Sequence, residues 1–141
     1  MSLYEELSVD TLARTLWGEA RGEGVRGMEA VASVVLNRVN LAKGRKGFWW
    51  GNDIVQVCQK PFQFSCWNAN DPQRPRVIAV TDKNIHFATA QRIARRAVYA
   101  SIPDATGGAT HYHTLDICPH WAEGKNPTAI IGHHIFYRLE K

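Results

Sequence analysis

No stretch of the 141 residues approaches the ~20 consecutive apolar residues that a helical membrane span requires, so membrane insertion is not expected. The N-terminus, Met1 to Leu7, has no positive region followed by an apolar run and therefore reads as no secretory leader. The chain is expected to be made in the cytoplasm and to reach any external substrate by another route. Cysteine is scarce. Cys58, Cys66 and Cys118 are odd in number, fit no zinc spacing, and belong to a chain long enough to fold without staples. They read as buried or partly buried free thiols, with a Cys58–Cys66 bridge left open. Internal repeats and low-complexity tracts are lacking too. Concentrated charge is also missing: the net +4 and pI near 9.2 suit an anionic partner, but the densest run, Gln91 to Arg96, reads as the solvated face of a helix. Without an arginine stripe or a recognised module, nucleic acid is not an expected partner.

What is present is an ordinary globular composition, 45% hydrophobic and 21% charged, in a length that suits one domain spanning 1–141. Five tryptophans are many for this length and suggest either a Trp-rich core or a ring-binding groove.

Three helices follow from periodicity. Leu12, Ala13, Leu16, Trp17 and Ala20 recur at helical spacing, with Ser8 as the expected cap and Gly22 and Gly24 as the stop. A second helix runs from about Val25 to Asn40 on the stripe Met28, Val31, Ala32, Val35, Leu36 and Val39. A third runs from about Asp82 to Ala100, with Thr81 or Asp82 as its cap and Pro103 beyond its end. The stretch between the last two carries Gly44, Gly47, Gly51, Pro61, Pro72 and Pro75 together with Phe48, Trp49, Trp50, Phe62, Phe64 and Trp67. It reads as a folded lobe with one or two short strands, forming a groove wall. Ala109 to His113 and Thr128 to Arg138 are rich in β-branched and aromatic residues, and Gly132-His133 fits a hairpin turn. The class is α+β.

Glu19 has the most suggestive setting of the thirteen acidic residues. It falls in a helix's last turn among Leu16, Trp17 and Gly18, where the dipole disfavours a carboxylate. Flanking glycines would let a polymer approach the backbone. A surface Glu paired with Arg14 or Arg21 is the plainer reading of the same spacing.

Four ordered segments sharpen this. Leu12 to Glu23 running into Gly27 to Val39, then Gln63 to Trp67, then Gly108 to His113, then Ile131 to Arg138 together resemble the cell-wall hydrolase family of the spore cortex-lytic enzymes. The resemblance covers roughly residues 10 to 138. It implies a lysozyme-like fold, a glycan groove between helices and a small antiparallel β lobe, and lytic transglycosylase activity on the MurNAc–GlcNAc bond of peptidoglycan. It places the catalytic glutamate at Glu19 and implies no cofactor. In such a reaction one Glu protonates the glycosidic oxygen and then, as carboxylate, takes the proton of the muramic C6 hydroxyl, closing a 1,6-anhydro ring. A hydrolase would normally need a second carboxylate.

Glu23 is the obvious second carboxylate and a substrate-site candidate, although a structural role, accepting loop amide hydrogens or pairing with Arg26, is the preferred reading. Many lysozyme-like transglycosylases follow the Glu with Ser; here Ala20 follows, so what that hydroxyl supplies is absent or comes from elsewhere, with Ser65 and Tyr112 as the candidates. Gln63, Phe64, Ser65, Trp67, His111 and Tyr112 are the expected substrate contacts, amides and hydroxyls for sugar hydroxyls and rings for pyranose faces. Phe64 and Trp67 could equally pack the lobe. His111, His113, His133 and His134 lack a third ligand at motif distance, so no metal is expected. A zinc amidase or peptidase cutting the peptide stem and a peptidoglycan-binding module without turnover remain the alternatives. A monomer is expected, and a phage-derived lysin is one source consistent with the chain.

Overall fold

A computed structural model describes residues 2–140. Its first helix, α1 (Leu3–Ala20), starts earlier than expected. The Ser2 hydroxyl accepts the Glu5 amide hydrogen while the Glu5 carboxylate accepts that of Ser2, each at 3.0 Å. This reciprocal box outcompetes Ser8, which lies inside the helix and donates its hydroxyl back to the Tyr4 carbonyl. The expected stop is observed: α1 ends at Ala20, and a 3-10 turn over Arg21–Glu23, which contains Gly22, leads into α2 (Gly24–Gly44).

The segment after α2 differs from the reading of it as strands. Among the described residues it holds α3 (Ile54–Gln59), a 3-10 turn over Ser65–Trp67 and α4 (Arg74–Ala79). Its polar and proline residues start short helices: the Asp53 carboxylate accepts the Gln56 amide hydrogen at 2.8 Å, and Pro75 occupies the first turn of α4. Helix α5 (Ile85–Tyr99) is capped by Asn84, not Thr81 or Asp82. The Asn84 side-chain oxygen accepts from the amides of His86 and Phe87 and from the Trp17 indole at 3.2 Å, so the cap is also a tertiary contact with α1.

Strands β1 (His111–Thr114), β2 (Ala129–Ile131) and β3 (His134–Tyr137) form an antiparallel sheet in the order β1-β3-β2. Tyr112 pairs with Phe136, and Ile131 with His134 across the hairpin turn. Gly132 takes φ +58° there, and a Cβ on it would meet the Glu23 carboxylate at 2.9 Å. The fold is thus helical with a small sheet, α+β as expected. Helices α1, α2 and α5 pack on one another, and their buried side chains, among them Leu12, Leu16, Val31, Val35, Phe87 and Ile93, join Trp50 and Phe136 in one cluster. The tryptophans divide: Trp17 and Trp50 are core, Trp67 is half-buried, and Trp49 and Trp121 are exposed. Among the described residues no helix is long and apolar enough to cross a membrane.

Candidate active site

Glu19 lies at the C-terminal end of α1, and Gly18 decides what can approach it. A Cβ at Gly18 would come within 2.7 Å of the Cys66 sulfur and 2.8 Å of both the Cys66 Cβ and the Val77 side chain. Only hydrogen fits, so the Ser65–Trp67 turn and α4 press directly against the helix. That contact brings the Cys66 amide to Glu19, where its N–H donates to Oε2 at 3.3 Å. From the other side, β1 presents Tyr112, whose hydroxyl donates to Oε1 at 2.5 Å. The carboxylate is held between the helical lobe and the sheet by one donor from each.

Tyr112 is itself fixed. Its ring packs against His134 at 4.9 Å and Phe136 at 5.5 Å between centroids. Burial, and then the charge of Glu19, push its phenol well above the ordinary value, so it remains a proton donor. Burial likewise raises the Cys58 thiol to about 12 and pushes that of Cys66 up, with Glu19 adding to the latter. Neither is a thiolate nucleophile. The cysteines are all free; Cys58 and Cys66 are buried, whereas Cys118 is exposed, contrary to expectation.

Glu19 opens onto a groove of about 510 Å³ between the lobe and β1. Among the described residues that line it, Glu19 is the one acidic side chain. Gln63, Phe64, Ser65, His111 and Tyr112 line it as well. Phe64 is nearly all buried, whereas Ser65 is exposed. Of the two candidates for the hydroxyl that Ala20 cannot supply, Tyr112 touches Glu19. Burial and the neighbouring Arg38 cation lower the His111 imidazole to about 4, so it faces the groove neutral.

Two expected contacts are elsewhere. Trp67 turns its indole N–H to the Thr15 hydroxyl at 2.9 Å and lines an adjoining cleft. Glu23 turns from the groove to the β2–β3 turn, accepting the His133 amide hydrogen at 2.9 Å and facing His133 Nδ1 at 3.2 Å. Burial raises its pKa, but these His133 contacts outweigh that and hold the carboxyl below the usual value. The 3-10 turn after Ala20 rotates Glu23 off the face that a continued helix would have given it. Nor do the histidines gather. His113 donates from Nδ1 to the Thr114 carbonyl, and its Nε2 meets the Tyr137 hydroxyl at 2.9 Å. Among the described residues no three His, Cys, Asp or Glu side chains converge as a metal site would need.

Arg38 was missed by pattern reading. It is 5% exposed, on the stripe that buries Val31, Val35 and Val39, and it lines the groove. Its Nε donates to the Thr110 carbonyl at 2.7 Å and its Nη1 to Gln63 at 3.3 Å, with the guanidinium over Trp50 and Phe64. Burial lowers it to about 10, which leaves it cationic at neutral pH. It ties α2 to Thr110, the residue leading into β1, and to the Gln63 loop. An arginine on an otherwise apolar helix face was the available signal. The exposed rings of Trp49 and Phe62 along the groove fit the aromatic lobe expected as its wall, and Trp121 joins them from the segment after β1.

Residues 22–137 match the cell wall hydrolase family. The matched span begins three residues after Glu19, so the carboxylate's setting rests on the geometry above. The spore cortex-lytic enzymes of Halalkalibacterium halodurans and Bacillus subtilis are 32% and 31% identical over 136 residues. Those alignments cover 94% of this chain but only 35% and 38% of the relatives, so the chain spans well under half of their length. The catalytic domain of the germination-specific lytic transglycosylase SleB from Bacillus anthracis superposes with TM-score 0.71 at 26% identity, covering 98% of this chain and 97% of that one. The catalytic domain of the Bacillus cereus SleB protein gives 0.71 at 28%, covering 94% and 91%. By a family match across most of its length, by these relatives and by the shared fold, the chain belongs to the cell wall hydrolase family.

Proposed function

We propose that this domain cleaves the MurNAc–GlcNAc β-1,4 bond of peptidoglycan glycan strands as a lytic transglycosylase, with Glu19 as acid and then base. The observation that carries the reading is the single carboxylate in the groove. Hydrolysis by paired carboxylates needs the second within ~5–9.5 Å across the scissile bond, and Glu23, the nearest in sequence, is committed to the β2–β3 turn. One carboxylate suffices if the nucleophile is the substrate's own C6 hydroxyl. Glu19 gives its proton to the glycosidic oxygen, and the C1–O bond breaks. The carboxylate then takes the C6 hydroxyl proton as that oxygen bonds to C1, which restores the acid and consumes no water. Tyr112 and the Cys66 amide hold Glu19 through this exchange, one donor on each oxygen. The lytic transglycosylase activity of the Bacillus anthracis neighbour supports the same reading, as does the mixed polar and aromatic lining, which suits sugars. We place its action at the bacterial wall, where the substrate of the matched family lies.

The test is digestion of purified peptidoglycan, with the soluble products identified by mass spectrometry. Anhydromuropeptides are expected. Reducing ends would indicate a hydrolase, free stem peptides an amidase, and no soluble product a binding module. Glu19→Gln should lose at least about a hundredfold in product release, and full activity in that variant would refute the assignment.

A further inference from the structure

Phe62 is 84% exposed and holds φ +66°, a left-handed backbone that bulky L residues seldom adopt. The conformation is imposed: the Phe62 amide donates to the Asn68 side-chain oxygen at 3.1 Å. An aromatic ring at a strained position, turned out to solvent, gains nothing for folding, since glycine would meet the same backbone demand without strain. Its place in the molecule supplies a use. Phe62 lines the groove that holds Glu19 and also the adjoining cleft of about 440 Å³ that contains Trp67, Asn68, Asn70 and Arg74. It forms the saddle between the two.

The geometry points to Phe62 as the platform on which one pyranose ring of the glycan strand rests as the strand passes from the Glu19 groove into this second cleft. The inference rests on the function proposed above and extends it to a subsite. The apolar face of a pyranose matches an exposed ring, and the side-chain amides of Asn68 and Asn70 beyond it match sugar hydroxyls and N-acetyl groups. Trp67, which does not reach the Glu19 groove, becomes part of the wall of this extension.

The test compares Phe62→Gly and Phe62→Tyr in a Glu19→Gln background, so that no turnover occurs. Binding of peptide-free MurNAc–GlcNAc strands of four disaccharides is measured by calorimetry. Phe62→Gly should bind about tenfold more weakly, as when roughly half the burial of a Phe is lost, and its Tm should be no lower, because relieved strain offsets the added chain entropy. Phe62→Tyr should stay within about twofold, since it keeps the ring. Equal binding by the Gly variant and its parent, or equal losses in both variants, overturns the platform. If the wild type releases no glycan fragments from purified sacculi, the underlying reading has failed instead.

Discussion

Gly18→Ala puts the packing around Glu19 to the test, because helix propensity and tertiary contact predict opposite signs. Gly18 lies within α1, where Ala is better than Gly by about 1 kcal/mol. The added methyl, however, would lie 2.7–2.8 Å from Cys66 and Val77. The Cys66 Cβ is one bond from the backbone and cannot swing away, so the Ser65–Trp67 turn must retreat. Overpacking of this kind costs about 1–3 kcal/mol. Weakening the Cys66 N–H bond to a carboxylate adds about 1 kcal/mol. The net is a loss of about 2 kcal/mol, or roughly 6–8 °C in Tm for a domain of this size, read by calorimetry or circular dichroism. Product release from peptidoglycan should fall about tenfold as one of the two donors to Glu19 withdraws. Gly22→Ala is the matched control: its methyl meets nothing within 4 Å, and Tm should move by less than about 2 °C. A Gly18→Ala protein that is more stable than wild type and fully active would sink the argument that close approach places the Cys66 amide on Glu19.

Tyr112→Phe removes the donor to Glu19 Oε1 and keeps the ring, so activity should fall about 10–100-fold while far-ultraviolet dichroism is unchanged; undiminished activity would remove Tyr112 from the mechanism. His111 titrates near 6.5 unfolded and about 4 folded, so the unfolded chain binds more protons between those values. Stability attributable to His111 is therefore intact above pH 6.5 and lost as pH falls through that window; the full shift would be worth about 3 kcal/mol, cut to about 1–2 by partial exposure. His111→Gln should flatten the acid limb of denaturation curves by that amount, leaving the smaller contribution of His134, which burial lowers in the same direction. A thiol reagent at neutral pH should modify one cysteine rapidly, exposed Cys118, and all three after denaturation; rapid modification of a second thiol in the native protein would contradict the burial of Cys58 and Cys66.

Periodicity alone determined the three long helices, since an apolar stripe such as Met28, Val31, Val35 and Val39 has one burial solution whatever surrounds it. Alternating β-branched and aromatic residues with Gly132 determined the hairpin in the same way. The family segments singled out Glu19, Tyr112 and the Gln63–Ser65 loop. Three features were decided only in the folded chain. The helix caps moved to Ser2 and Asn84 because each makes bonds that local spacing does not reveal, a reciprocal box and a contact with Trp17. The glycine- and proline-rich lobe became short helices because those residues mark where chain segments begin and end, not which conformation lies between them. Above all, the division between Glu19 and Glu23 came from the 3-10 turn at Arg21–Glu23 and from the position of β3. Four residues apart in sequence, one carboxylate meets Tyr112 and the groove and the other caps a β turn, because the direction a side chain faces depends on which distant segment supplies its hydrogen-bond donors.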